Sequence, residues 1–373
     1  MRILHLFSNF KWTGPAEPAV ALAAGLKRAG QDVVLRSSAY TKDSPHNFVR
    51  DEARARGLEP ILDLALPKHR SFWRNAFDTR KLRAIFAAEK FDLVHTHLPN
   101  DFRLAQRARR GAERPKIVRS LYDTDPEAIG VHLARRLARE AEAVIVFARA
   151  IEERLRSFGF PAERLVRLEP AVDLERFTAV GPSSRAKLGL DEKDFVVGIV
   201  ARVQAHRRFD LLLDAAAELA RRIPRFKLLV IGRGTEIDEL AKKPAEQRGL
   251  LDKHVFFPGY VTGEAYPALL RALDAKIYLV PGSDGTARAV REALACGVPV
   301  VATKRGMLPE LVEPGRTGEL IDESSAALVA VLEKWHADPA LRRRLAENAA
   351  ATARARFSLA QQVEAVRALY ARL

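Results

Sequence analysis

Two arginines five positions apart, Arg202 and Arg207, follow the apolar run "VVGIV", and Arg208 comes next. An arginine at a strand end and another about one helical turn further on can close on a diphosphate, because each guanidinium donates two parallel hydrogen bonds to phosphate oxygens. In "PGSDGTARAVREALACGVPVVAT", Asp284 sits in a loop and Glu292 lies two turns into a helix started by Thr286 or Ala287 and closed by Gly297. The small residues Gly285, Thr286 and Ala287 leave the first backbone N–H groups reachable by a phosphate, and Glu292 can accept from ribose hydroxyls. The same spacing also suits a helix cap at Asp284 and a solvated Glu292. A third loop, Gly232-Arg233-Gly234, carries two glycines of a dinucleotide fingerprint, but Ile237 stands where the third would be, so NAD is not expected.

These loops require strands that end beneath them. Arg2 to Phe7 reads as a strand, a polar loop containing Gly14 follows, and an Ala/Leu helix leads to the strand "QDVVLRSS". The rhythm returns in "FDLVHTH", "KIVRSLY" and "AEAVIVFARA", and a second round runs through "DFVVGIV", "FKLLVIG", "VFFPG", "AKIYLVPG" and "PVVAT". Strands alternating with helices predict an α/β architecture of two tandem Rossmann-like domains, each a parallel sheet covered on both faces. Ligands bind such sheets outside the carboxyl ends of the strands, where all three loops fall. The polar stretch "DLERFTAVGPSSRAKLGL" places the boundary near 180, giving domains 1–180 and 181–356.

A chain of 373 residues with 48% hydrophobic and 29% charged residues can bury two cores and is not compositionally disordered. Its single cysteine, Cys296, excludes an internal disulfide and a cysteine-rich metal site, and fits a reducing, cytoplasmic compartment. No signal peptide or membrane-spanning apolar stretch is visible. The formal charge of +15 predicts an anionic partner. The sequence lacks helix-turn-helix, zinc-finger, RRM and KH signatures, so nucleic acid is not expected.

His95 and His97 flank Thr96 at a strand end and point to one side, but with no carboxylate or third imidazole evident beside them a metal site is not expected. Cys296 reads as core packing. In "PKHRSFWRNAFDTRKLR", Lys68, Arg70, Arg74, Arg80 and Lys81 interleave with Phe72, Trp73 and Phe77. That mixture suits the headgroup region of an anionic membrane or a phosphorylated acceptor, while aromatics buried against the first domain beneath solvated cations are the more ordinary reading.

The order and spacing of these segments resemble the family-4 retaining glycosyltransferases of the GT-B fold. The family's arginine, lysine and aspartate pattern appears as Arg202, Arg207 and Asp210, its strand-Gly-x-Gly turn as Gly232 to Gly234, its "V-x-F-x-G" strand as "VFFPGYV", and its E-x7-E signature as Asp284 to Glu292. "TGPAEPAVALAAGLKRAGQDV", "FDLVHTH" and "ERLVRLEPAVDLERF" occupy the family's stations in the first half, and "FSLAQQVEAVRALYARL" its last. The resemblance implies two domains facing a central cleft, with a helix within 357–373 packing back on the N-terminal one. It implies transfer of a sugar, with retention, from a UDP- or GDP-linked donor to a glycan or lipid-linked acceptor; with two arginines to offset the diphosphate and no Asp-x-Asp at a strand end of the second half, no metal or other cofactor is expected. Arg202 and Arg207 would neutralise the diphosphate, Glu292 hold the ribose, Asp284 the sugar and the backbone around Gly259 to Val261 the base, with His97 and Tyr122 on the acceptor side. Asp284 replaces a glutamate, Arg207 a lysine, Gly14-Pro15 a glycine pair, Pro170-Ala171 an Asn-Gly and Tyr122 a histidine. Those departures leave open a protein of the same fold that binds a nucleotide or glycan without transfer. The one Asp-x-Asp, Asp123 to Asp125, lies in the first half, away from the expected diphosphate.

Overall fold

Short β-branched runs become the strands of two six-stranded parallel sheets in the computed structural model, which describes residues 1–41, 44–69, 71–281 and 285–373. The first sheet holds β1 (Arg2–Phe7), β2 (Asp32–Ser37), β3 (Leu93–Thr96), β4 (Lys116–Leu121), β5 (Ala143–Val146) and β6 (Leu165–Arg167), in the order β2-β1-β3-β4-β5-β6. Its helices are α1 (Ala16–Arg28), α2 (Phe48–Arg54), α3 (Phe72–Glu89), α4 (Pro99–Arg109), α5 (Val131–Glu140) and α6 (Arg149–Ser157). The second sheet holds β7 (Phe195–Val200), β8 (Phe226–Ile231), β9 (Val255–Gly259), β10 (Ala275–Tyr278), β11 (Val300–Thr303) and β12 (Gly318–Ile321), in the order β12-β11-β10-β7-β8-β9. With it go α7 (Phe209–Arg222), α8 (Lys243–Gln247), α9 (Ala265–Leu270), α10 (Arg288–Ala295), α11 (Leu308–Leu311), α12 (Ser325–Ala337) and α13 (Pro339–Arg356).

The last helix, α14 (Leu359–Ala371), belongs to the first unit. That unit comprises Met1–Ala171 and Leu359–Leu373, together with Gly285 and Thr286, while the rest of the described chain from Val172 to Ser358 forms the second. α14 packs on α1, where a methyl group of Val363 occupies the space that a Cβ at Gly25 would need. The polar stretch around 180 is no free linker. Arg185 is buried, its Nη2 2.8 Å from Asp274 and its Nε bonded to the Ala272 carbonyl, and Arg271 donates to the carbonyls of Thr178 and Pro182. A guanidinium so fully spent on second-unit acceptors holds the stretch there, and the division falls at Ala171/Val172, within about ten residues of the expected 180.

Central strands are largely apolar because helices cover both faces, with Lys276 in β10, His95 in β3 and Arg119 in β4 among the buried exceptions. Helix α7 buries Phe209, Leu212, Leu213, Ala216 and Leu219 at helical spacing, against a core that includes the fully buried Trp335 of α12. The edge strands β6 and β12 were not among the expected strands, since three or four residues with one exposed flank carry no usable periodicity.

Candidate functional site

At the carboxyl ends of β7 and β8 two chain segments run against each other. Ala201 N–H donates to the Ile231 carbonyl at 3.0 Å and Val203 N–H to that of Arg233 at 3.1 Å. The approach is close enough that a Cβ at Gly232 would stand 2.1 Å from the Ala201 oxygen, and one at Gly234 would stand 2.4 Å from that of Val203. Gly232 also has φ +147°, and its N–H donates to Gly259, itself at φ +81°. The glycines of the Gly-Arg-Gly turn are thus required by backbone packing, and they join it to the Gly259–Val261 loop. Tyr260 between these loops is exposed, with the Arg233 guanidinium 4.4 Å from its ring centre.

The arginine cluster separates into three roles. Arg202 is exposed and makes no ion pair among the described residues. Arg207 is buried, donates from Nη1 to the Val280 carbonyl at the end of β10, and leaves Nε without a partner. Arg208 turns away to Asp210 and Glu323, so of the three only Arg202 and Arg207 keep guanidinium N–H groups outside ion pairs with described residues.

Asp284 lies outside the described residues. Gly285 and Thr286 form a turn, Thr286 is buried, and Ala287 takes a left-handed φ of +48°. Helix α10 begins only at Arg288, so Glu292 stands one turn into it rather than two. Glu292 is buried rather than solvated: it accepts from the Tyr266 hydroxyl at 2.9 Å and meets Arg288 Nε at 3.4 Å. Tyr266 is held well above its ordinary pKa by burial and by the Glu292 charge, which keeps its hydroxyl protonated as the donor.

A residue absent from the sequence reading joins them. Lys276, in β10, is fully buried with no hydrogen bond to its Nζ, and burial pulls its pKa down to about 7 despite the opposing pull of Glu292. The available signal was a lysine inside the apolar run "AKIYLV", a costly place for an unpaired ammonium. Cys296 packs in the core, where burial raises its thiol to about 12.

In the first unit, Gly14 lies in the turn before α1, in which Ala16 N–H donates to the Thr13 carbonyl. His97 and Tyr122 do not present free polar groups. The Tyr122 hydroxyl is 2.8 Å from His97 Nδ1, and His97 Nε2 is 3.0 Å from Nδ1 of His5. A third imidazole therefore does stand beside His95 and His97. Parallel register sets His5 directly across from His95, a pairing that cannot be read before the strand order is known. The imidazole nitrogens lie within 4.8 Å of one another. His95, however, bonds Ser120 Oγ at 2.8 Å and the Tyr370 hydroxyl at 2.5 Å, and the His95 and His97 rings stack at 4.4 Å. Lone pairs of stacked rings do not converge on one ion, and only His5 Nε2 is without a partner. The arrangement fits a neutral hydrogen-bonded chain. Burial pulls His5 to about 3 and holds His95 and His97 well below their ordinary 6.5. At the head of α4, Asp101 accepts from the N–H groups of Ser8, His97 and Leu98, joining the ends of β1 and β3.

Residues 14–176 match the family model described as Glycosyltransferase Family 4, and residues 181–352 match Glycosyl transferases group 1. A D-inositol 3-phosphate glycosyltransferase of Frankia alni is 33% identical over 303 residues, covering 74% of each chain. The chain belongs to the family-4 glycosyltransferases. It is also 33% identical over 218 residues to the GDP-mannose-dependent alpha-(1-6)-phosphatidylinositol monomannoside mannosyltransferase of Mycolicibacterium smegmatis, covering 55% of this chain and 56% of that one. Over such stretches it spans about half the length of the curated relatives it matches. The solved structure of Anabaena Alr3699/HepE in complex with UDP and glucose superposes at a TM-score of 0.80 and 22% identity over the whole of both chains. That likeness shows the GT-B fold for this chain.

Proposed function

We propose that the chain is a retaining hexosyltransferase that takes a nucleoside-diphosphate sugar of the UDP or GDP type and passes the sugar to a glycan or lipid-linked acceptor. The observation that carries this reading is the second unit's strand-end set: exposed Arg202, buried Arg207 with an unmet Nε, and buried Glu292 held by Tyr266. Buried donors without acceptors are costly, and the β-phosphate of the leaving nucleoside diphosphate supplies acceptors. Arg202 and Arg207 stabilise the charge that develops as the glycosidic C–O bond breaks, and Glu292 accepts from the ribose hydroxyls. The first unit takes the acceptor, with His97 and Tyr122 acting as a positioning pair beneath it. The relatives' printed substrates, GDP-mannose and inositol phosphates or lipids, favour a phosphorylated or lipid acceptor.

Two cationic guanidiniums offset a diphosphate without an ion, so transfer proceeds without a divalent metal. The work is done at the cytoplasmic face of a membrane, with no role for nucleic acid. Isothermal titration against UDP- and GDP-sugars, paired with a product assay in EDTA, tests the reading. Tight binding with donor turnover and an anomerically retained product is expected. Binding without transfer or hydrolysis would make this a non-catalytic member of the fold, and activity restored only by Mn²⁺ would redirect attention to Asp123 and Asp125.

A further inference from the structure

The two faces of strand β10 meet different neighbours. Ala275 and Ile277 join the apolar core that α7 covers, so the alternation of a strand turns Lys276 and Tyr278 to the opposite face. The step from β10 to β11 runs the other way across the sheet from the step from β7 to β8, and right-handed crossovers therefore put α10 on that opposite face. Lys276 is sealed, with no exposed surface, on the side of the sheet where the helix carrying Glu292 lies.

Nothing beside it among the described residues accepts from an ammonium. Its neighbours in register are Gly198 and Val300, which carry no polar side chain, and its Nζ makes no hydrogen bond. The Tyr278 ring centre stands 6.0 Å from Nζ, at the outer limit of a cation–π contact. Asp274, two residues back on the same face, is bonded to Arg185 and paired with Arg342 of α13. A lysine on apolar surface ordinarily lifts its charged head into water, and here no water is in reach. A methionine of similar length would fill the space without burying an amine, so packing alone does not call for lysine.

Two neighbouring charges bear on that amine. Burial pulls its pKa down to about 7, Glu292 acting against the fall and the Arg207 guanidinium adding to it. The other ionisable groups on the elements packed here keep one charge state around neutrality: Arg288 and Arg291 of α10 stay cationic, and burial keeps the Tyr266 hydroxyl of α9 and the Cys296 thiol protonated. A buried ammonium without an acceptor is the costlier form, and above neutrality the amine gives up its proton. Arg207 has an unmet buried donor of its own in Nε, so an anion that meets Arg207 also acts on Lys276.

We propose that Lys276 is a proton-linked positioning residue of the donor site: neutral in the empty protein above pH 7, its amine takes up a proton when the diphosphate of a nucleotide sugar meets Arg207, and it then stands as a third cation behind Arg202 and Arg207. This rests on the donor-site reading of Arg202, Arg207 and Glu292. The direction follows from charge. A diphosphate brings about two negative charges, which cancel the repulsion from Arg207 and add an attraction of their own, and in buried surroundings neither is screened by salt. The proton comes from solvent on binding and returns to it when the nucleoside diphosphate leaves, and no covalent bond of the protein changes. Donor affinity is therefore level below about pH 7, where the amine is already protonated, and falls as pH rises above it.

Calorimetric titration of the full chain with UDP-glucose and with GDP-mannose, in pairs of buffers that differ in ionisation enthalpy, counts the protons directly and needs neither acceptor nor turnover. The diphosphate of an intact nucleotide sugar does not titrate near neutrality, so the count belongs to the protein. Uptake of about half to one proton per donor is expected at about pH 8 and close to none at about pH 6, with a Kd about fivefold to tenfold weaker at about pH 8.5 than at about pH 7. In Lys276→Met the uptake is expected to vanish and the Kd to change by less than about twofold over the same range. Binding with less than about a fifth of a proton at about pH 8 would overturn the proposal and leave the donor reading standing. Uptake that survives in Lys276→Met would assign the proton to another group and overturn it as well. If neither nucleotide sugar binds at any pH, the donor reading itself falls and takes this one with it.

Discussion

The Tyr266 hydroxyl donates to Oε2 of Glu292 at 2.9 Å, and Arg288, one turn earlier on α10, brings Nε to 3.4 Å from the other carboxylate oxygen. Glu292 is thereby aimed before any ligand arrives. Removing the hydroxyl in Tyr266→Phe takes away one of the groups that hold the carboxylate. The donor KM is expected to rise about fivefold to tenfold with a smaller change in kcat, the size of one hydrogen bond to a charged group. Steady-state kinetics against donor concentration read this directly, and an unchanged KM would separate Glu292 from the donor.

Three neighbouring arginines should behave differently on truncation. Arg202→Ala and Arg207→Ala are each expected to cost about 100-fold or more in kcat, as for loss of one preorganised electrostatic donor. Arg208, spent on Asp210 and Glu323, should cost less than about threefold when changed to alanine. A larger loss at Arg208 than at Arg207 would reverse the assignment.

Gly232→Ala places a methyl group 2.1 Å from the Ala201 carbonyl oxygen, at a φ of +147° that L side chains avoid. The chain must separate at the β7 and β8 ends to admit it. A loss of about 2 to 4 kcal/mol is expected in urea unfolding, with weaker donor binding in whatever remains folded. Gly249, also at positive φ but with nothing near its missing Cβ, should lose only about 1 kcal/mol as alanine.

The buried imidazoles set an acid limit. His5, His95 and His97 have native pKa values below 6.5, so the unfolded chain takes up their protons first as pH falls. Their contribution is fully present above about 6.5 and is lost below it, down toward about 3 for His5, at up to about 1.4 kcal/mol per pH unit per imidazole. Asp101 acts in the opposite sense: its native pKa is pushed up to about 6 by burial, so it gains stability as pH falls from there toward 3.8. Asp78, whose pKa burial also raises, acts with Asp101, and two carboxyls against three imidazoles leave a net loss. Unfolding free energies at about pH 7.5 and pH 5.5 should differ in that direction, and His95→Gln should flatten the slope. Equal stability at the two pH values would show that the imidazoles titrate normally.

The sequence by itself determined the α/β class, the tandem repeat and the strand-end loops. These are local facts: apolar runs, helical spacing and glycines fix which segments become strands, helices and turns. It also nominated Arg202, Arg207, Gly232 and Glu292 as candidates, because strand ends are readable and ligands in such sheets gather there. Tertiary structure alone decided which of these side chains were free. Arg207 and Arg208 are adjacent in the chain, yet packing turned one to the Val280 carbonyl and the other to Glu323. His5 and His95 are far apart in sequence and meet because β1 and β3 are neighbours in register. The aromatics of α3 read more ordinarily as buried, yet Phe72, Trp73 and Phe77 stand exposed, since a mixed basic and aromatic face has no single preferred partner. Burial and long-range pairing are properties of the assembled sheet, and no window along the chain contains them.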